Sequence, residues 1–397
     1  MDLLVAVVDV SAARTGVLGP RLPRGDLDGD TRGRPLPSPP GARMTPGTRV
    51  LHVLGELRPS GMERMLVSGA SGFDSAGVEG HVFGVGRNHP FERAIRDAGY
   101  SVHTTDSALH TPAGRQVLHR LLAEVDPHVV HIHTEGRYLQ TVLAVRRSNR
   151  RMPVVRTIHN VFDARGRWFL RRAAQALIAD RLVDALIAPS PDVAANEARF
   201  GRRVRVIYNW VEDRFFEIAA QRAQASVPST APIVIVGNCS KIKSHEVVLE
   251  AALLGNLSVV HVGSEDDVAP AERELLERLD QVGLLAGRGV GDPAAALLAG
   301  RVFAMPSRHE GMPVALAEAL VVGLPAVVSD VPGLRWAAGQ GSVVALGSRE
   351  PAEWTERLRE SAGAGSAPTI DFRAARGTSE YAEVYRAVTT RRRRSAQ

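Results

Sequence analysis

The chain of 397 residues carries a single cysteine, Cys239. No internal disulfide can form, which fits a reducing cytoplasm. No apolar run reaches the roughly 18 residues that a membrane-spanning helix needs. The opening stretch MDLLVAVVDV lacks a basic leader and carries Asp2 and Asp9, so it is a poor secretory signal. VFGVGRNHP has Gly84 and Gly86 but no third glycine of a dinucleotide fingerprint, which argues against a dehydrogenase. The histidines lack zinc-protease spacing, and the periodic part of the chain has no D-x-D pair. The formal net charge is +6, and four of the positive charges sit in RRRR at 391–394. No nucleic-acid recognition motif accompanies them. A solvated tail at 391–397 is the plain reading, and attraction to an anionic ligand or membrane is the sharper one.

What is present is a βα rhythm. Residues 11–48 are rich in Gly, Pro, Arg and Asp without periodicity. The 1–47 segment therefore reads as a disordered or misassigned extension, with the functional protein starting near Met44 and residues 1–43 dispensable for folding and activity. From RVLHVL at 49, short β-branched runs alternate with helical patterns as far as RVRVIYN. Residues 48–216 are thus expected to form one parallel sheet covered by helices on both faces. The stretch 217–231, EIAAQRAQASVPSTA, loses the rhythm and is read as a linker. The pattern restarts at PIVIVGN and runs to about 370, which implies a second doubly wound domain. A last helix is expected over 371–390, packing back on the first domain. Ligands in such sheets sit beyond the carboxyl ends of the strands, so the cleft between the two domains is the expected site.

The segment RHEGMPVALAEALVVGLP, 308–325, places Glu310 at the mouth of a helix and Glu318 alone among apolar neighbours. Pro313 suits the first helical turn. The N–H groups of Gly311 and Met312 would then point out of the helix mouth, toward an anion or sugar hydroxyls. A buried carboxylate without a partner is costly. A vicinal diol such as a ribose could satisfy Glu318, as could a backbone cap or water.

MPSRHEGMPVALAEALVVGLPAVVSD, with its Glu310-x7-Glu318 spacing, resembles the E-x7-E region of retaining GT-B glycosyltransferases, family 4 in particular. LGELRPSGMERMLV, HVVHIHT, TIHNVFD, LIAPSPDVAANEARFGRRVRVIYNWVEDRFF and VGNCSKIKSHEVVLEA resemble other segments of that family in the same order, over roughly 49–350. The resemblance implies two Rossmann-like domains facing across a cleft: an acceptor domain at 48–216 and a nucleotide-sugar domain at 232–370. It implies transfer of a hexose or N-acetylhexosamine from a nucleotide diphosphate sugar, UDP-sugar foremost, with retention at the anomeric carbon. Lys243 is similar to the family's phosphate-binding lysine, Glu310 to its donor-sugar contact and Glu318 to its ribose contact. Gly61 and Gly237 would let backbone approach the diphosphate. His133 is similar to the histidine beside the reacting sugar, and His131 is expected on the opposite face of the strand. His159 is an acceptor-side candidate. Two positions depart from the pattern: Asn238 stands where Arg is usual, and Ser244 where Gly is usual. Either Lys241 supplies a second cation or the site works with one. A homologue that binds nucleotide sugar without transferring it is the alternative function.

No metal or cofactor is expected, because lysine and helix dipoles can carry the leaving charge. The acceptor is left open between a glycan, a lipid-linked sugar and a small natural product such as an aminoglycoside. Arg165, Arg167, Arg171 and Arg172 with Trp168 and Phe169 read either as the outer face of a core helix or as a peripheral membrane contact.

Overall fold

The computed structural model describes residues 47–394 except 136–137, 162–165, 167–168, 171–172, 175–177, 179–180 and 362–364. The extension at 1–46, Arg165, Arg167, Trp168, Arg171, Arg172 and residues 395–397 lie outside the described residues. The first sheet contains β1 (Thr48–Leu54), β2 (Val78–Val85), β3 (Ser101–Thr105), β4 (Val129–Ile132), β5 (Val154–Thr157), β6 (Ala185–Ala188) and β7 (Arg205–Val206). The second contains β8 (Ile233–Val236), β9 (Val259–Val262), β10 (Leu285–Gly289), β11 (Val302–Met305), β12 (Ala326–Ser329) and β13 (Val343–Leu346).

The strand orders are β3-β2-β1-β4-β5-β6-β7 and β10-β9-β8-β11-β12-β13. All the described pairings are parallel. Both sheets are therefore doubly wound, with the order reversing between β1 and β4 and between β8 and β11. Those switch points open crevices at the strand carboxyl ends. Burial on both faces explains why the central strands read as continuous apolar runs: β4, β5, β11 and β12 are buried along their whole length.

The segment 217–231, read as a linker, needs correction. It begins inside a helix, Arg214–Gln224. Phe215 is fully buried and packs with Leu297 and Leu320 in the second domain's core. Arg222 donates from Nη1 to the carbonyls of Leu298 and Gly300, both at 2.8 Å. The guanidinium thus satisfies orphan carbonyls at the end of the Pro293–Ala299 helix. A buried arginine interrupts the apolar stripe, which hid the helix from a periodicity reading. Strand β13 and the helix Pro351–Glu360 also went unread.

The helix Ala374–Arg394 returns to the first domain. Its Tyr381, Ala382, Tyr385 and Val388 share one buried cluster with Val50, Phe73 and Trp210. The approach to the helix Gly61–Ser75 is close: a Cβ on Gly72 would lie 2.4 Å from Thr378 Oγ1. Tyr385 Oη lies 2.7 Å from His131 Nδ1, so this distant helix fixes a side chain of β4. No described helix is long and apolar enough to cross a membrane.

Candidate functional site

The loops after β1, β4, β5, β8 and β11 line a cavity of about 620 Å³. Gly61, His133, His159, Gly237, Lys243, Glu310, Gly311 and Met312 all line it; Asn238, Lys241 and Glu318 do not.

Lys243 is its one Lys or Arg among the described residues. Its Nζ is 2.7 Å from Glu310 Oε1. Ser307 Oγ donates to the same oxygen, also at 2.7 Å. The lysine comes from the loop after β8 and the glutamate from the loop after β11, two adjacent strands, so the switch point brings them together. Gly237 has φ +148, and a Cβ there would stand 3.4 Å from Lys243 Cε. That distance is ordinary contact, so it is the backbone angle that calls for glycine here. Ser244 also adopts the left-handed region, at φ +56. Its Oγ accepts from Arg308 Nε at 2.9 Å and donates to Glu246 Oε1 at 2.7 Å, which holds a strained residue beside Lys243.

Asn238 does not stand in for an arginine. Its Oδ1 accepts from Ser264 N at 2.9 Å, so the carboxamide braces a neighbouring loop instead of facing the cavity. Lys241 is exposed and does not supply a second cation there.

Pro313 is the N-cap, at φ −69 and ψ 124, one position before the expected first turn. The helix Val314–Val322 therefore presents the N–H groups of its own first turn to the cavity, where Val314 and Ala315 line the wall. The Gly311 and Met312 carbonyls are tied to the first domain. Ser190 Oγ donates to Gly311 O and Asn209 Nδ2 to Met312 O, both at 2.8 Å. A Cβ on Gly311 would fall 1.6 Å from His159 O. Gly311→Ala should therefore cost about 1–3 kcal/mol by overpacking and lower turnover, because the displaced loop carries Glu310. An unchanged melting temperature would contradict this contact.

The histidine side is a cluster. His52 pairs across β1 with His131 of β4. His133 Nε2 lies 3.1 Å from His52 Nδ1, and His133 Nδ1 lies 3.3 Å from His159 Nε2. His131 shares the face of His133, not the opposite one, and their ring centroids are 3.9 Å apart. Strand alternation has period two, so residues two apart point the same way. Burial holds His131 and His133 well below the ordinary imidazole value, His52 down to about 3 and His159 down to about 4. The row is neutral at physiological pH, and each contact shares one proton.

Among the cavity residues that sequence reasoning missed are Glu135, Glu63 and Asn209. Glu135 accepts from His159 N and from Arg156 Nη2, the latter at 3.1 Å, and so positions the β5 loop. Glu63 is buried and accepts from Ser60 Oγ; burial raises its carboxyl. The S-x-x-E spacing of Ser60 and Glu63 was a readable capping-box signal. Asn209 had no local signal, since its role depends on a loop 103 residues away.

Glu318 is buried one helical turn beyond Val314, outside the cavity lining, and no described hydrogen bond reaches its carboxylate. Burial, and secondly the carboxylate of Glu212, raise it to about 7.

Residues 59–215 match the model of Glycosyltransferase Family 4, and 218–360 that of Glycosyl transferases group 1. The chain is 27% identical to EpsF of Bacillus subtilis (strain 168), named as a glycosyltransferase, over 80% of this chain and 88% of that protein. Among solved structures, a glycosyltransferase from Rickettsia africae ESF-5 superposes with TM-score 0.65 at 15% identity, over 86% of this chain and 98% of that one. Anabaena Alr3699/HepE, solved in complex with UDP and glucose, superposes with TM-score 0.60 at 16% identity, over 87% and 98%. With two doubly wound sheets, a site at their facing switch points and a family match in each half, the chain belongs to the group 1, family 4 glycosyltransferases and has the GT-B fold.

Proposed function

We propose that this glycosyltransferase moves a hexose or N-acetylhexosamine from a UDP-sugar to an acceptor hydroxyl with retention at the anomeric carbon. The observation that carries this reading is the Lys243–Glu310–Ser307 cluster in the cavity between the sheets. Breaking the donor's glycosyl–phosphate bond leaves negative charge on the β-phosphate. Lys243 and the N-terminus of the helix Val314–Val322 are fixed positive elements that stabilise it without reorganising. On this reading Lys243 turns to the phosphate when donor binds, and Glu310 is freed to accept from sugar hydroxyls. Gly61 and Gly237 leave room for the diphosphate, and Gly311 and Met312 form the floor beneath the sugar. His133, kept neutral by burial, stands at the reacting face, with His159 behind it toward the acceptor. Both ring nitrogens of His133 are engaged by His52 and His159, so it shapes the reacting face, and the proton of the incoming hydroxyl passes to the departing phosphate oxygen. No metal is needed at the diphosphate in this arrangement. The solved complex of Alr3699/HepE with UDP and glucose supports the choice of nucleotide. We place the reaction in the cytoplasm, with a glycan, lipid-linked or small natural-product acceptor.

A panel of nucleotide sugars and acceptors, read by mass spectrometry in chelator, tests donor class and metal independence. The anomeric proton coupling of the product tests retention. Transfer from UDP-sugars with retained configuration is expected. An inverted product would overturn the stereochemical assignment. Nucleotide binding with neither hydrolysis nor transfer would favour a binding homologue, a reading that the single lysine, without an arginine, among the cavity's described lining residues makes worth testing.

A further inference from the structure

Behind the Lys243 loop lies a second cluster that the transfer chemistry does not use. Cys239, His245, His261 and Glu272 are all buried, at 1%, 3%, 1% and 2% exposure. Cys239 and His245 bracket the loop, His261 sits on β9, and Glu272 reaches in from the helix Pro270–Gln281. One ligand atom each from Cys239, His245 and His261 falls within 4.8 Å of the other two. Cys239 Sγ and His261 Nε2 are 3.8 Å apart. A tetrahedral ion with metal–sulfur and metal–nitrogen bonds of about 2.3 and 2.0–2.1 Å sets that separation near 3.6 Å. His245 Nδ1 lies 3.0 Å from Glu272 Oε1, while its Nε2 faces Gly237. A carboxylate holding one imidazole nitrogen so that the other can ligate is the usual outer support of a zinc histidine.

The second observation concerns His261. Its Nε2 is 3.0 Å from Gly237 O. Its Nδ1 is buried without a hydrogen-bond partner and lies 4.0 Å from Glu265 Oε1. A neutral ring has one N–H. Placed on Nε2, that proton serves Gly237 but leaves the Nδ1 lone pair facing a carboxylate. Placed on Nδ1, it leaves the Nε2 lone pair against a carbonyl oxygen and a sulfur. The doubly protonated ring would serve both sides only by placing a full charge in a buried site beside Cys239 and His245. A cation at Nε2 removes the conflict and lets Nδ1–H turn toward Glu265.

We propose that Cys239, His245 and His261 bind a divalent transition-metal ion of the zinc class, with Glu272 orienting His245. Thiolate and imidazole are the donors such an ion prefers, and three protein ligands leave one position for water or the Gly237 carbonyl. Binding deprotonates the thiol and releases that proton to solvent, so affinity rises with pH. The ion staples the loop that carries Lys243 to β9, away from the reacting atoms, and the proposal does not rest on the transfer reading.

The test uses the full chain, made in zinc-supplemented medium or titrated with cobalt(II). One tightly held ion per chain, a thiolate-to-cobalt charge-transfer band and a higher melting temperature are expected. Cys239→Ser and His261→Gln should each lose the band and the metal-dependent stabilisation. Glu272→Gln should weaken binding roughly ten- to a hundredfold. A wild type without the band, or Cys239→Ser and His261→Gln variants that bind as the wild type does, would overturn the site. Should Cys239→Ser fail to fold, His261→Gln alone decides.

Discussion

Replacing Lys243 by alanine should lower turnover by roughly a hundredfold or more while the protein stays folded. The side chain lines the cavity and is 24% exposed, so little core packing is lost. What is lost is the one lysine or arginine among the cavity's described lining residues. A fixed charge of this kind contributes about 3 kcal/mol at the transition state, and each 1.36 kcal/mol is about tenfold in rate. Asn238 is engaged with Ser264 and Lys241 is exposed, so neither compensates. Glu310 keeps its bond from Ser307 after the substitution, which limits the stability cost. Steady-state kinetics beside a thermal melt makes the comparison, and near-normal turnover would remove Lys243 from the chemistry. Glu310→Ala should lower the rate and also relax discrimination among donor sugars, since it removes a hydroxyl acceptor and not a phosphate charge.

Glu318→Gln should stabilise the ligand-free protein at alkaline pH, by up to about 3 kcal/mol. Burial raises the Glu318 carboxyl from 4.5 to about 7, with Glu212 adding to the effect. Between those values the folded state binds more protons than the unfolded state. Its contribution to stability therefore falls as pH rises from 4.5 to 7, and the penalty is complete above 7. The energy follows from about 1.4 kcal/mol per pKa unit, to order of magnitude. Glutamine has no proton to lose, so the variant's melting temperature should lack this decline. On the reading of Glu318 as the ribose contact, nucleotide should behave in the opposite sense. A ribose diol donates best to the carboxylate, so the wild type should gain affinity through neutral pH. A 2′-deoxy ligand should lose about 1–3 kcal/mol against it, the scale of a charged hydrogen bond, and almost nothing against the variant. Equal losses against both proteins would show that Glu318 does not hold the ribose.

The alternation of β-branched runs with helical patterns was enough to indicate two doubly wound sheets, because each element's period is a property of neighbouring residues. Glu310-x7-Glu318 and the glycines around it were legible for the same reason: a strand end, a loop and a helix mouth are contiguous in the chain. The helix Arg214–Gln224 was not legible, since its buried Arg222 is satisfied by carbonyls more than seventy residues away. The histidine row was read as a single candidate, because the pairing of His52 with His131 is fixed by the β1–β4 register and not by spacing. Likewise, nothing local turns Asn238 toward Ser264 or gathers Cys239, His245 and His261. The sequence by itself determined most of the elements, the fold class and the Glu310 loop. Tertiary structure alone decided which charges face the cavity and which brace the loops around it. A side chain's partners are set by the long-range packing that closes the sheets, and that packing has no one-dimensional period to read.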